Sequence, residues 1–237
     1  MNRAAWLAFV GSPALASMLL AAMPIAAAGD LPEGFVYLRE IAPDVLQDMR
    51  YAATSNFTGA KVPGYSAAEC VLAKPVAEAL AKVQRALKTE NKSLVVHDCY
   101  RPASAVRHFV NWAEAGGNQT DPNWNPRVPR SQLIEQGYIA VRSGHSTGGS
   151  VDMSFAELAA SGEMKIADMG SSFDLFDPLS HTDSPNVPQT ARDNRAFLVR
   201  TMKRQGFANY AREWWHFKFV DAPFAGRQFD FAITASW

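Results

Sequence analysis

Three stretches of the chain repeat their apolar residues at helical steps. From Lys74 to Lys88, Val76, Leu80, Val83 and Leu87 recur every three or four positions, which predicts an amphipathic helix. Ala103 to Ala115 predicts a second, with Val106, Phe109, Val110 and Ala113 on its inner face, and Ala191 to Gln205 a third, ended by Gly206 as a left-handed cap. Short runs of strand type stand between them: "SLVVHD" (Ser93–Asp98), "SVDMSF" (Ser150–Phe155) and "EWWHFKFV" (Glu213–Val220). Residues 34–51 read as short extended pieces, followed by polar turns around Asn56 to Gly64. Residues 116–130, with three prolines and two glycines, read as a loop of a length that is often functional in a compact domain, and residues 170–189 are again loop-like, rich in Ser, Asp and Pro. Strands and helices mix without a regular βαβ alternation. The expectation is an α+β fold in a single domain, with a small antiparallel or mixed sheet and flanking helices.

The first residues follow another pattern. One cation, Arg3, precedes an apolar run from Trp6 to about Ala22, and Ala26-Ala27-Ala28 offers the small residues of a cleavage site. This predicts a signal peptide over residues 1–28 and an exported, periplasmic or secreted domain over residues 29–237. No later stretch is apolar for long enough to span a bilayer, so no stable membrane insertion is expected once the signal is removed. The 23 basic and 23 acidic residues balance and no long basic run occurs, which argues against nucleic acid as a partner. Export bears on the two cysteines, Cys70 and Cys99, because thiols can pair in an oxidising compartment. Such a bridge would close a loop of about thirty residues and stabilise by roughly 2–4 kcal/mol. Two buried free thiols are the alternative, and spacing alone does not separate them.

Candidate chemistry gathers in three motifs. In "SGHSTGGSVDMSF" (Ser143–Phe155), small residues surround His145, and a turn at Gly148-Gly149 can bring Asp152 back beside it. A tight turn with a capping aspartate fits the same residues. "EWWHF" (Glu213–Phe217) adds His216 with a carboxylate three positions earlier. A catalytic zinc takes three protein ligands of these types, and a nearby carboxylate can serve as general base. Residues i and i+3 of a regular strand face opposite ways, so Glu213 and His216 meet only if the chain bulges near Trp214 or Glu213 starts the strand. In "HDCYRP" (His97–Pro102), Arg101 stands where a strand ends and a helix begins, a position from which a guanidinium can stabilise an oxyanion. His108 reads as a surface or packing residue, His97 as a core histidine, and His181 is unassigned.

Taken together, "SGHSTGGSVDMSF", "EWWHF" and "DCYRP", in this order and spacing, resemble the D-alanyl-D-alanine dipeptidases, zinc peptidases related to D,D-carboxypeptidases. The resemblance continues through "DMRYAATSNFTG" (Asp48–Gly59), "MGSSFDLFDPLSH" (Met169–His181) and "FDF" (Phe229–Phe231). It implies one Zn2+ per chain held by His145, Asp152 and His216 at one face of the fold. Glu213 would be the catalytic base and Arg101 the group that stabilises the transition state. Tyr51, Ser143 and Asp174 would bind the substrate, with Asp174 meeting the free amino group of D-Ala-D-Ala. Two other readings stay open: a D,D-carboxypeptidase or endopeptidase on longer peptidoglycan peptides, and a non-catalytic peptidoglycan-binding module with a structural zinc. Cytoplasmic members of the family destroy newly made dipeptide. An exported one is better suited to wall-peptide turnover or salvage.

Overall fold

The computed structural model describes residues 31–235, and the expected signal peptide lies outside the described residues. In chain order the elements are β1 (Phe35–Tyr37), α1 (Leu38–Ile41), β2 (Leu46–Gln47), β3 (Val71–Ala73), α2 (Lys74–Lys88), β4 (Lys92–Asp98), α3 (Ala103–Ala115), β5 (Ser150–Leu158), β6 (Met164–Ile166), α4 (Gln189–Lys203), β7 (Phe207–Tyr210) and β8 (Glu213–Phe219). The two helices with the clearest apolar period, α2 and α3, have the predicted bounds. Helix α4 begins two residues earlier than its period suggests, directly after Pro188, whose φ of −53° presets the chain for a helix. Gly206 takes the left-handed conformation, φ 87°, just beyond the C-cap Arg204. Within residues 34–51, one piece differs from the extended reading. Leu38–Ile41 forms a helical turn that buries Leu38 and leaves Arg39 and Glu40 exposed.

The main sheet has six strands in the order β2-β4-β5-β8-β7, with β6 on the far half of β5. Among the described strands of this sheet, β2 and β4 run parallel and the other pairs are antiparallel. Strands β1 and β3 form a separate antiparallel pair. The α+β expectation of a mixed sheet with flanking helices holds. Residues Ser150–Ala156 of β5 are buried, so the central strand is covered on both faces. Its odd positions carry Val151, Met153 and Phe155, and the Phe155 ring meets Phe197 of α4 at 5.2 Å. Its even positions carry Asp152 and Ser154, and these polar residues face the other way. The sheet thus has an apolar side and a side that carries chemistry.

Candidate active site

Irregularities in strand pairing bring the candidate side chains together. Along β4 and β5 the register runs Val95↔Ser154, Val96↔Met153 and then Asp98↔Asp152. His97 is the extra residue of a β-bulge, and it shifts Asp98 into the row of Asp152. On the other edge of β5, Asp152 pairs with His216. Asp98, Asp152 and His216 therefore stand side by side on three adjacent strands. His145 reaches the same place from the 3-10 turn His145–Thr147, which Gly148 closes at φ 69°. A Cβ on Gly148 would meet Phe35 Cε1 at 2.4 Å, so both the turn and the packing require glycine there.

The donor atoms at this junction suit a cation. Nδ1 of His145 lies 2.6 Å from the Cys99 carbonyl oxygen, which can only accept, so Nδ1 donates there and Nε2 is the nitrogen that faces the cluster. That Nε2 is 3.1 Å from His216 Nδ1 and 3.2 Å from Asp152 Oδ1, and His216 Nδ1 is 2.9 Å from Asp152 Oδ1. One ligand atom from each residue lies within 4.8 Å of the others. Burial lowers the His216 imidazole and favours its neutral form. Burial alone would raise Asp152, but the imidazoles beside it prevail and hold the carboxyl well below the usual range. Two histidines and a carboxylate converging on one point are the nitrogen and oxygen set that zinc takes.

Charged groups surround the cluster. Glu213 occupies the first position of β8, and its Oε2 is 4.0 Å from His216 Nδ1. Burial, then the negative charges of Asp152 and Asp174, push the Glu213 carboxyl well above its ordinary range. Arg101 donates from Nε to Asp98 Oδ2 at 2.9 Å, and its Nη2 is 3.4 Å from Asp152 Oδ2. Its guanidinium also lies over the rings of Tyr51, at 5.3 Å, and Phe109, at 5.1 Å. Burial opposes the charge on Arg101, yet the neighbouring carboxylates, Asp98 first, keep it firmly cationic. Asp98 itself accepts from the Tyr65 hydroxyl at 2.7 Å. Deeper in the cleft, Tyr51 donates its hydroxyl hydrogen to Asp174, with Oδ1 at 3.1 Å and Oδ2 at 2.9 Å. Asp174 is buried at φ 61°, a conformation uncommon for a residue other than glycine. Burial, and next the Asp152 charge, raise its carboxyl well above the usual range. The Ser143 hydroxyl accepts from the His145 backbone N–H at 3.2 Å.

All eight residues expected from the sequence meet here. Tyr51, Arg101, Ser143, His145, Asp174, Glu213 and His216 line one cavity of about 460 Å³, and Asp152 is buried beside it. The geometric tension between Glu213 and His216 is resolved by a bulge in β8 as well as by Glu213's place at the strand start. Cys70 and Cys99 are joined, with Cα atoms 5.2 Å apart. His97 is buried away from the cluster, its Nε2 2.9 Å from Ser154 Oγ, and His181 Nε2 lies 3.0 Å from the Tyr138 hydroxyl. Sequence reasoning missed Asp98 and Tyr65 as the partners that hold Arg101, and the Cys99 carbonyl that orients His145. Asp98 stood in a motif already singled out, but its part depends on the bulge at His97, which no local pattern announces.

A model of the M15 peptidase family, described as D-ala-D-ala dipeptidase, matches residues 32–234. A D-alanyl-D-alanine dipeptidase of Enterococcus faecalis is 36% identical over 205 residues, 86% of this chain and 100% of that protein. One from Streptomyces coelicolor is 37% identical over 201 residues, 84% of this chain and 98% of that protein. A third, from Escherichia coli K12, is 31% identical over 202 residues, 84% of this chain and 93% of that protein.

Proposed function

The chain belongs to the M15 family of D-Ala-D-Ala dipeptidases, which are zinc-dependent peptidases, and on that premise we propose that it hydrolyses D-Ala-D-Ala to two molecules of D-alanine. The observation that carries the reading is the convergence of His145 Nε2, Asp152 Oδ1 and His216 Nδ1 beside a buried glutamate and a buried arginine. His145, Asp152 and His216 would hold the zinc ion, which when bound polarises a carbonyl and lowers the pKa of water to about 7.

The chain's own groups do the rest. Asp174, with Tyr51 holding its carboxyl, receives the ammonium of the dipeptide, a charge-assisted contact that a longer peptide cannot make at that point. Ser143 lines the same cleft and contacts the substrate. Arg101, fixed by Asp98, faces the negative charge that grows on the scissile carbonyl oxygen. Glu213 takes the proton of the attacking water and passes it to the departing amine.

The test is release of D-alanine from D-Ala-D-Ala by residues 29–237, with and without a chelator. Chelator-sensitive release is the expected result. No release by verified zinc-loaded protein, together with cleavage of a tetrapeptide, would transfer the assignment to a D,D-carboxypeptidase or endopeptidase. If neither substrate is cut, the reading as an enzyme fails. Export to the periplasm or exterior, and with it a role in wall-peptide turnover or salvage, is a second proposal, supported by the pattern of residues 1–28 and by the Cys70–Cys99 bridge. Cytosolic protein with residues 1–28 intact would refute it.

A further inference from the structure

We propose that Asn209 is a positioning residue of this site: its carboxamide clamps the bulge that sets Glu213 and His216 on the same side of β8. The proposal rests on the reading of the site as a zinc dipeptidase and adds a determinant of its geometry. Strands β7 and β8 pair regularly from Phe207↔Phe219 through Ala208↔Lys218 to Asn209↔Phe217, and the next pair is Tyr210↔Glu213. One step along β7 thus spans four along β8. Trp214, Trp215 and His216 form the excess, and within this stretch the chain turns so that Glu213 Oε2 comes within 4.0 Å of His216 Nδ1. A regular ladder would send these two side chains to opposite faces.

A bulge of this size takes β8 carbonyls off the ladder, and they need other donors. The Asn209 side chain supplies them. Its Nδ2 lies 3.2 Å from the Glu213 carbonyl oxygen, 3.4 Å from that of Trp214 and 3.0 Å from that of His216. These carbonyls come from both ends of the bulge and from its interior, so one amide group ties the base's backbone to the ligand's. Two N–H bonds serve three acceptors by sharing. The orientation of the amide is fixed from behind, because the Thr182 hydroxyl donates to Asn209 Oδ1 at 2.6 Å. A flipped amide would set its oxygen against three carbonyl oxygens. Thr182 is itself anchored by its backbone N–H to the Ala211 carbonyl at 2.9 Å. The segment carrying Asp174 to Thr182 is thereby joined to the β7–β8 turn. Alanine at position 209 would keep the strand and lose the clamp.

The experiment measures zinc dissociation by competition with a chromophoric chelator, and kcat and KM on D-Ala-D-Ala separately, for Asn209→Ala, Thr182→Val and the double variant. Thermal melting identifies any variant that fails to fold. Groups that orient metal ligands from behind typically contribute about 10–100-fold in metal affinity or activity. Asn209→Ala is expected to weaken zinc binding and lower kcat within that range, with KM moving by less than about 3-fold, because the backbone bond from Thr182 to Ala211 still ties the Asp174 segment to the turn and the Tyr51–Asp174 hydrogen bonds do not involve Asn209. Thr182→Val should shift both quantities the same way by less, and should add nothing on the Asn209→Ala background, since both act through one amide. Thr182→Ser should restore the wild-type values. A folded Asn209→Ala protein with wild-type zinc affinity and kcat overturns the proposal, and so do losses that add fully in the double variant. Should Asn209→Ala fail to fold, Thr182→Val against Thr182→Ser decides by the same readouts. Wild-type protein that binds zinc but releases no D-alanine would sink the dipeptidase reading alone, because zinc affinity still tests the clamp.

Discussion

Removing the Cys70–Cys99 bridge is expected to lower stability by an amount that follows from its place in the chain. The two cysteines are 29 positions apart. The chain-entropy relation for a loop of that length gives about 12 cal/mol/K, or about 3.5 kcal/mol at 25 °C. For a domain of about 200 residues, each kcal/mol moves the melting temperature by about 2–4 °C, so the expected fall is about 7–14 °C. Both cysteines are fully buried, so the native bridge is shielded from reductant. The comparison is therefore between oxidised protein, protein reduced while unfolded and then refolded in reductant, and the Cys70→Ala/Cys99→Ala variant. Calorimetry at one saturating zinc concentration keeps ligand binding from altering the comparison. The bridge also anchors the residue whose carbonyl oxygen receives the His145 Nδ1 hydrogen at 2.6 Å, so zinc affinity should fall with stability. A melting temperature within 2 °C of the oxidised protein in both altered forms would refute the loop-closure reasoning.

Glu213→Ala should retain zinc, because the three ligand atoms come from other residues, and should lose about 10²–10⁴-fold in turnover; full activity would remove Glu213 from the role of base. Tyr51→Phe deletes the hydroxyl that holds both Asp174 oxygens, and a hydrogen bond to a charged group is worth about 1.5–3 kcal/mol. Steady-state kinetics should show a loss of about tenfold or more in kcat/KM, carried mainly by KM; an unchanged KM would separate Asp174 from ammonium binding. Asp177 accepts from Arg127 Nε at 2.7 Å and from the Leu179 N–H at 2.8 Å, and the guanidinium, foremost among these influences, holds its carboxyl below the ordinary value. A carboxyl depressed on folding contributes stability above its unfolded pKa of about 3.9, and this is lost as pH falls through the lower folded value. Asp177→Asn should therefore melt below wild type at pH 7 and close to it near pH 2. An equal gap at both pH values would contradict the linkage.

What the sequence determined by itself is local and periodic. The apolar rows of α2 and α3 carry their own boundaries, because a helix buries one face and reveals its period in any window that contains it. The start of α4 lay with Pro188 rather than with the first apolar residue of its pattern. The helical turn Leu38–Ile41 was too short to display a period. His145 and Asp152 were legible as a pair because one glycine-rich turn lies between them, and the motifs around Arg101 and Glu213 were legible through family resemblance. Tertiary structure alone decided how these pieces meet. Tyr51 and Asp174 are 123 positions apart, and only the packed chain brings them together. The row of Asp98, Asp152 and His216 depends on a bulge at His97, and the approach of Glu213 to His216 on a second bulge. A bulge is a mismatch in length between two strands that pair from distant parts of the chain. Its stability comes from partners such as Asn209 and Thr182, which no single window of sequence contains.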